Sequence, residues 1–177
     1  VGVIVYASGC EKATLAQIVK QTPDIAEHME EFYTPIPKFL YSTFRVSDWE
    51  GKSDEQQTFN MEDETINQNF ADFFHIEVLE GSMLDDKDEK GAVVINEAAV
   101  KAFGWNAPIG KEINGEYRVK GVIKDIYYNA PIHPVSPAMF SLQKNNDRGH
   151  LIFKVKEGTW NKVSQNLQEE VHKVNPD

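Results

Sequence analysis

AVVINEAAVKAFG, residues 92–104, is the stretch around which the rest of the chain can be ordered. Ala92–Ile95 is an unbroken apolar run of strand length, the pattern of a strand covered on both faces. Asn96 then supplies a side-chain oxygen suited to cap exposed backbone N–H groups. Glu97 sits in the first turn, where the helix dipole favours a negative charge. A short helix over Ala98–Phe103 follows, and Gly104 is placed to stop it. The reading is strand, cap, helix, stop.

Downstream, Lys111–Ile113 and Glu116–Ile123 flank Asn114-Gly115, the strongest short hairpin signal, because both turn positions need positive φ. Tyr117, Val119 and Ile123 fall on one face of the second strand. Pro131, Pro134 and Pro137 mark an extended connection. Ala138–Leu142 and Leu151–Val155 read as strands around a polar turn, Lys144–Gly149. Trp160, Val163, Leu167, Val171 and Val174 then form one apolar stripe of a helix that Pro176 ends.

Upstream, Asp85–Lys90 is a solvated charge run, Asn67–Phe74 a short helix packing Phe70, Phe73 and Phe74, and Thr58–Ile66 a moderately alternating strand. Ser47–Gln57 is a polar loop after a strand-like Phe39–Val46. Ile25 to Tyr33 fits either a strand or a continued helix, with Pro35 and Pro37 ending it. Ser8 with Glu11 fits a capping box ahead of Leu15, Ile18 and Val19, and Val1–Tyr6 reads as a buried strand. The chain therefore opens and closes with strand–helix, around a β-rich middle.

With 177 residues, 41% hydrophobic and 26% charged, this is ordinary globular composition and excludes a fibrous or wholly disordered chain. The formal net charge of −10 disfavours nucleic acid, whose affinity comes mostly from cations displacing counterions. No apolar run approaches bilayer-spanning length. The chain begins at Val1 rather than Met, which suggests a piece of something longer. A single cysteine, Cys10, allows no intramolecular disulfide framework. Ala7-Ser8-Gly9-Cys10 lacks the leucine of a lipoprotein cleavage site, and there is no Asn-x-Ser/Thr sequon.

Candidate chemistry is sparse. Gly51-Lys52-Ser53 resembles the tail of a phosphate-binding loop, but Val46 stands where the earlier glycine is required. Asp86, Asp88, Gly91 and Glu97 follow calcium-loop spacing, but Lys90 would set an ammonium against the cation. The histidines, His28, His75, His133, His150 and His172, form no close ligand set. Glu169 and His172 share a helix face without a second such pair. Cys10 suits a small buried thiol. The Pro131, Pro134 and Pro137 spacing suits a stiff connector better than a polyproline ligand. The sequence predicts no catalytic residue, no cofactor and no metal.

Several segments in order carry a resemblance. They are FADFFHIEVLEG (Phe70–Gly81), VVINEAAVKAFG (Val93–Gly104), Pro108-Ile109-Gly110-Lys111 and YRVKGVIKD (Tyr117–Asp125). Together they resemble the periplasmic core domain of MacB/FtsX-type ABC transporter permeases, most clearly over Asn67–Phe140. One departure is Gly81-Ser82-Met83, where the family often has Gly-Arg and an aromatic.

The resemblance implies an α+β, two-lobed domain between two transmembrane helices of a permease. A porter-like βαβ-type lobe would come from both chain ends, residues 1–63 and 136–177, with a β-rich, sabre-like lobe, 64–135, inserted. It implies no enzyme activity and an extracytoplasmic position at a bacterial inner membrane. It also implies a cytoplasmic ATPase domain or subunit reached through the membrane helices, and a periplasmic adaptor, envelope protein or lipoprotein cargo as partner. The parent would be dimeric and the isolated domain monomeric. The work would be mechanical, a rigid body moving between docking geometries.

Aromatic or apolar residues outside regular structure suit partner contact. Trp105, Asn106, Tyr127, Tyr128, Ile132 and His133 are the candidates, with Trp105→Ala expected to weaken a partner without unfolding the domain. Two other readings compete. One is a ligand- or glycan-binding domain with Trp49, Trp105, Tyr127 and Tyr128 lining a cleft. The other is a hydrolase whose residues meet only in the fold.

Overall fold

The computed structural model describes residues 2–5, 12–32, 42–66, 68–127, 134–142 and 150–174. The capping box at Ser8 and Glu11, Cys10 and the polar turn after Lys144 lie outside these residues. The architecture is α+β, and the chain divides into two compact units, Val1–Ile36 with Asn145–Asp177, and Pro37–Lys144.

The first unit holds strands β1 (Gly2–Val5), β2 (Ile25–Phe32) and β10 (His150–Val155) and helices α1 (Lys12–Gln21) and α4 (Trp160–Val174). β10 is the middle strand, antiparallel to both β1 and β2. Leu15, Ala16, Ile18 and Val19 of α1 and Val163 and Leu167 of α4 are buried with Phe153 and Val155 of β10. The open choice at Ile25 is resolved as strand. Asp24 takes φ +71°, which reverses the chain after α1, and the Lys156 N–H donates to its carbonyl at 3.0 Å. The predicted α4 stripe is narrower than its spacing suggested, because Trp160 and Val174 at its two ends are exposed.

The second unit holds β3 (Thr43–Val46), β4 (Phe59–Ile66), α2 (Phe70–Phe74), β5 (Val78–Gly81), β6 (Ala92–Asn96), α3 (Glu97–Phe103), β7 (Glu112–Ile113), β8 (Tyr117–Ile123) and β9 (Ala138–Leu142). Its sheet runs β3-β4-β9-β6-β8-β5, with β7 paired to β8. Val93, Val94 and Ile95 of β6 are fully buried, as their unbroken apolar run requires. β4 lies parallel to β9, and β9 antiparallel to β6. The compact units divide at 36/37 and 144/145, and the sheet of the second unit includes strands on both sides of positions 63/64 and 135/136.

Asn96 is the junction of this unit. Its side chain is almost wholly buried. Oδ1 accepts from Ala99 N (3.0 Å) and Ala138 N (2.9 Å), and Nδ2 donates to Ser136 O at 2.9 Å. One amide thus caps α3 and seats the start of β9. Truncation leaves two N–H groups and one carbonyl without partners, at a cost of about 1–3 kcal/mol. Asn96→Ala is expected to lower the stability of this unit by roughly 2 kcal/mol or more, read as a lower urea midpoint by tryptophan fluorescence. An unchanged midpoint would contradict the role.

Candidate functional site

The exposed side of the second unit is built around β5. The chain leaves α2 through His75, a left-handed C-cap (φ +55°), and Ile76 N donates back to Ala71 O at 2.8 Å. β5 then pairs antiparallel with β8 as the last strand of the sheet, with an irregularity between Val78 and Glu80. Two glycines permit the approach. A Cβ on Gly81 (φ +68°) would stand 2.1 Å from the Lys120 carbonyl oxygen, and one on Gly121 would stand 2.3 Å from that of Ser82. Neither position accommodates a side chain without moving backbone.

This edge carries apolar side chains in solvent. Val78 (38%), Leu79 (40%) and Ile109 (43%) are exposed, and Ile109 Cδ1 comes within 2.9 Å of the Cβ position on Gly81. At the other end of β5, Lys124 N donates to Glu77 O (2.9 Å) and the Lys124 ammonium pairs with the Glu77 carboxylate. Tyr127, 65% exposed, follows three residues on. The segment before it is held, because Asp125 Oδ1 accepts from Ala98 N and Asp125 N donates to Glu97 Oε2. Exposed apolar groups beside an open sheet edge are features of contact surfaces.

Below the edge, the Lys120 ammonium bridges Asp88 (2.6 Å) and Asp85 (3.2 Å). Of the residues with calcium-loop spacing, Asp88 thus has an internal cation, and Glu97 Oε2 accepts from Asp125 N instead. Burial alone would lower the Lys120 pKa; hydrogen bonds to Asp88 and Asp85 outweigh it and hold it above the usual lysine value. The Lys87 backbone N–H, with Lys120 behind it, holds the Asp85 carboxyl below the usual range.

The sequence candidates separate. Trp105 is in the core: its ring stacks on Phe103 (centroids 4.1 Å apart) and its Nε1 donates to Glu50 O at 2.8 Å. Lys111 closes over it, paired with the Glu50 carboxylate at 2.7 Å. Trp105, expected among the partner contacts, is thus buried within this unit. Trp49 is buried in the same cluster, so these two indoles do not line an open aromatic cleft. Asn106 and Tyr127 are exposed. Tyr128, Ile132 and His133 lie outside the described residues. Val78, Leu79 and Ile109 were missed; the available signals were the short Val78-Leu79 pair bracketed by acids and the glycines at 81 and 121.

An open cleft of about 370 Å³ lies between residues 88–92 and 115–120. Two of its cations, Arg118 and Lys120, are paired with carboxylates. Gly51-Lys52-Ser53 sits in a loop with no helix after it. Among the described residues, no three His, Cys, Asp or Glu side chains are grouped to hold a metal, and no helix is long and apolar enough to cross a membrane.

The sequence profile of the MacB-like periplasmic core domain matches residues 7–170. No curated protein sequence matches the chain. Among solved structures, a permease-protein domain from Porphyromonas gingivalis aligns with TM-score 0.61 at 16% identity, over 89% of this chain and 74% of its own. The periplasmic region of MacB from Actinobacillus actinomycetemcomitans aligns at 0.56 and 18%, over 93% and 74%. The extracellular domain of the noncanonic ABC-type transporter YknZ from Gram-positive bacteria aligns at 0.58 and 13%, over 94% and 84%. At these identities the structural likeness is one of fold.

Two outcomes are expected. Trp105→Ala lowers stability by about 3–5 kcal/mol, the range for a buried aromatic, whereas Tyr127→Ala stays within about 0.5 kcal/mol; thermal melts followed by circular dichroism distinguish them. The second concerns pH. The contribution of Lys120 is complete below the ordinary lysine pKa and is lost as pH rises through its raised folded value. That of Asp85 is present above the ordinary carboxylate pKa and is lost as pH falls through its depressed folded value. Amide protection in residues 85–91 is expected to be flat through neutrality and to fall at both extremes; protection unchanged in strong acid would contradict the pairing.

Proposed function

Because the chain belongs to the MacB-like periplasmic core domain family, an extracytoplasmic domain of ABC transporter permeases, we propose that it relays motion and breaks no bonds. ATP hydrolysis in a cytoplasmic domain or subunit moves the membrane helices of the permease. Those helices displace this domain, which acts on a periplasmic adaptor, an envelope protein or a lipoprotein cargo. The parent works as a dimer. The match over residues 7–170 carries the reading.

Such a relay needs stiff bodies and a contact surface. Strand pairing, the Asn96 junction and the close β5–β8 approach supply stiffness in the second unit. Its open edge supports the second requirement, with Val78, Leu79, Ile109 and Tyr127 as contact residues. Partner surfaces gain most from apolar and aromatic anchors of this kind.

In the intact transporter, expressed in a strain lacking its own copy, Leu79→Asp combined with Tyr127→Ala is expected to reduce the export or envelope phenotype about tenfold or more at an unchanged protein level. An unaltered phenotype counts against the contact surface. The purified domain is expected to turn over no peptide, phosphate ester or glycoside, and product formation would overturn the mechanical reading.

A further inference from the structure

The hairpin residue Asn114 does more than turn the chain. It adopts φ +51° and Gly115 φ +66°, and Glu116 N closes the turn on Ile113 O at 3.1 Å. The Asn114 side chain meanwhile grips the segment leaving β3. Its Oδ1 accepts from Ser47 N (3.0 Å) and Asp48 N (2.9 Å), with Ser47 Oγ at 3.4 Å. Its Nδ2 donates to Arg45 O at 3.0 Å, and its backbone N donates to Asp48 O at 2.8 Å. One side chain thus fastens residues 45–48 to the β7–β8 turn, just before Trp49 enters the core.

Asparagine followed by glycine is also a chemically labile pair. The Gly115 backbone nitrogen can attack Asn114 Cγ, since no Cβ on residue 115 shields it. The new N–Cγ bond closes a five-membered imide. The Cγ–Nδ2 bond breaks, and Nδ2 leaves as ammonia with the proton that Gly115 nitrogen gives up. Water then opens the ring at either carbonyl, leaving aspartate or isoaspartate. A Cβ built on Gly115 meets no atom within 4 Å, so solvent reaches this turn. The side-chain amide does not turn onto Gly115 N while its oxygen and nitrogen are held by Ser47, Asp48 and Arg45.

We propose that Asn114 is a deamidation site kept closed by the docked β3 segment, so that modification follows opening of this latch. The product then prevents full reclosure. A carboxylate oxygen replaces the Nδ2 donor opposite the Arg45 carbonyl, setting two acceptors together. In isoaspartate the backbone path also lengthens within a two-residue turn. The conversion is therefore a one-way loosening of β3, a strand at the other edge of the sheet.

The test incubates the full chain in mildly alkaline buffer, folded and in denaturing urea, and follows the one-dalton mass gain in the peptide containing Asn114-Gly115. Conversion in the folded chain is expected to be about tenfold slower or more than in the unfolded chain, rising as sub-denaturing urea opens the latch. Equal rates, or no conversion in the unfolded chain, would overturn the proposal. Hydrogen exchange on Asn114→Asp reads the product. Ser47 and Asp48 amides are expected to exchange about tenfold faster or more while β6 and α3 amides are unchanged. Undiminished protection at Ser47 and Asp48 would overturn the latch.

Discussion

The parallel pairing of β4 with β9, with β6 on the far side of β9, is the constraint from which the second unit follows. It sets residues from before position 67 beside residues from after position 137, and the latter beside the Ala92–Asn96 strand. A parallel pair cannot be closed by a tight turn and needs a long crossover. Here the intervening chain supplies α2, β5, β6, α3, β7 and β8. Buried on both faces, β6 then takes Val93, Val94 and Ile95 without a polar break. The Asn96 amide fixes where β9 begins, because its Oδ1 takes the N–H of Ala138.

The same topology leaves the two sheet edges unequal. At one end β3 is fastened by Asn114 and its hydrogen bonds to residues 45–48. At the other, β5 is a four-residue strand with an irregular register, pressed against β8 by a pair of glycines. Short, kinked edges resist open-ended strand addition, yet Val78 and Leu79 stay in solvent there. Exposed ion pairs such as Glu77–Lys124 contribute little to stability. Apolar exposure on a stiff support is what the proposed relay requires of this edge.

Local signals in the sequence were faithful. Asn96, Glu97 and Gly104 gave a helix with its cap, first-turn charge and stop, and all three appear as such. Asn114-Gly115 gave the β7–β8 turn, and Val163 with Leu167 gave the buried face of α4. What local rules do not contain is which strands become neighbours. The parallel β4–β9 pairing joins Glu62 to Ala138, 76 residues apart, beyond the reach of any local rule. β5 escaped notice because four residues with acids at 77 and 80 show too little alternation to register. Trp105 follows a helix stop and looks like a loop residue, but the Phe103 ring and the Glu50–Lys111 pair enclose it. The exposed edge was legible only in part, through Tyr127.

The central claim, that this domain moves as stiff bodies under nucleotide control, is tested most directly by distance measurements between spin labels on the intact transporter. One pair joins Lys101, an exposed position on α3, to the membrane region of the permease; a second joins Lys101 to Ser53 within the second unit. The account predicts that trapping the ATP-bound state shifts the first distance distribution and leaves the second unchanged. A first distribution indifferent to nucleotide, or a second that broadens or shifts with it, would contradict the claim.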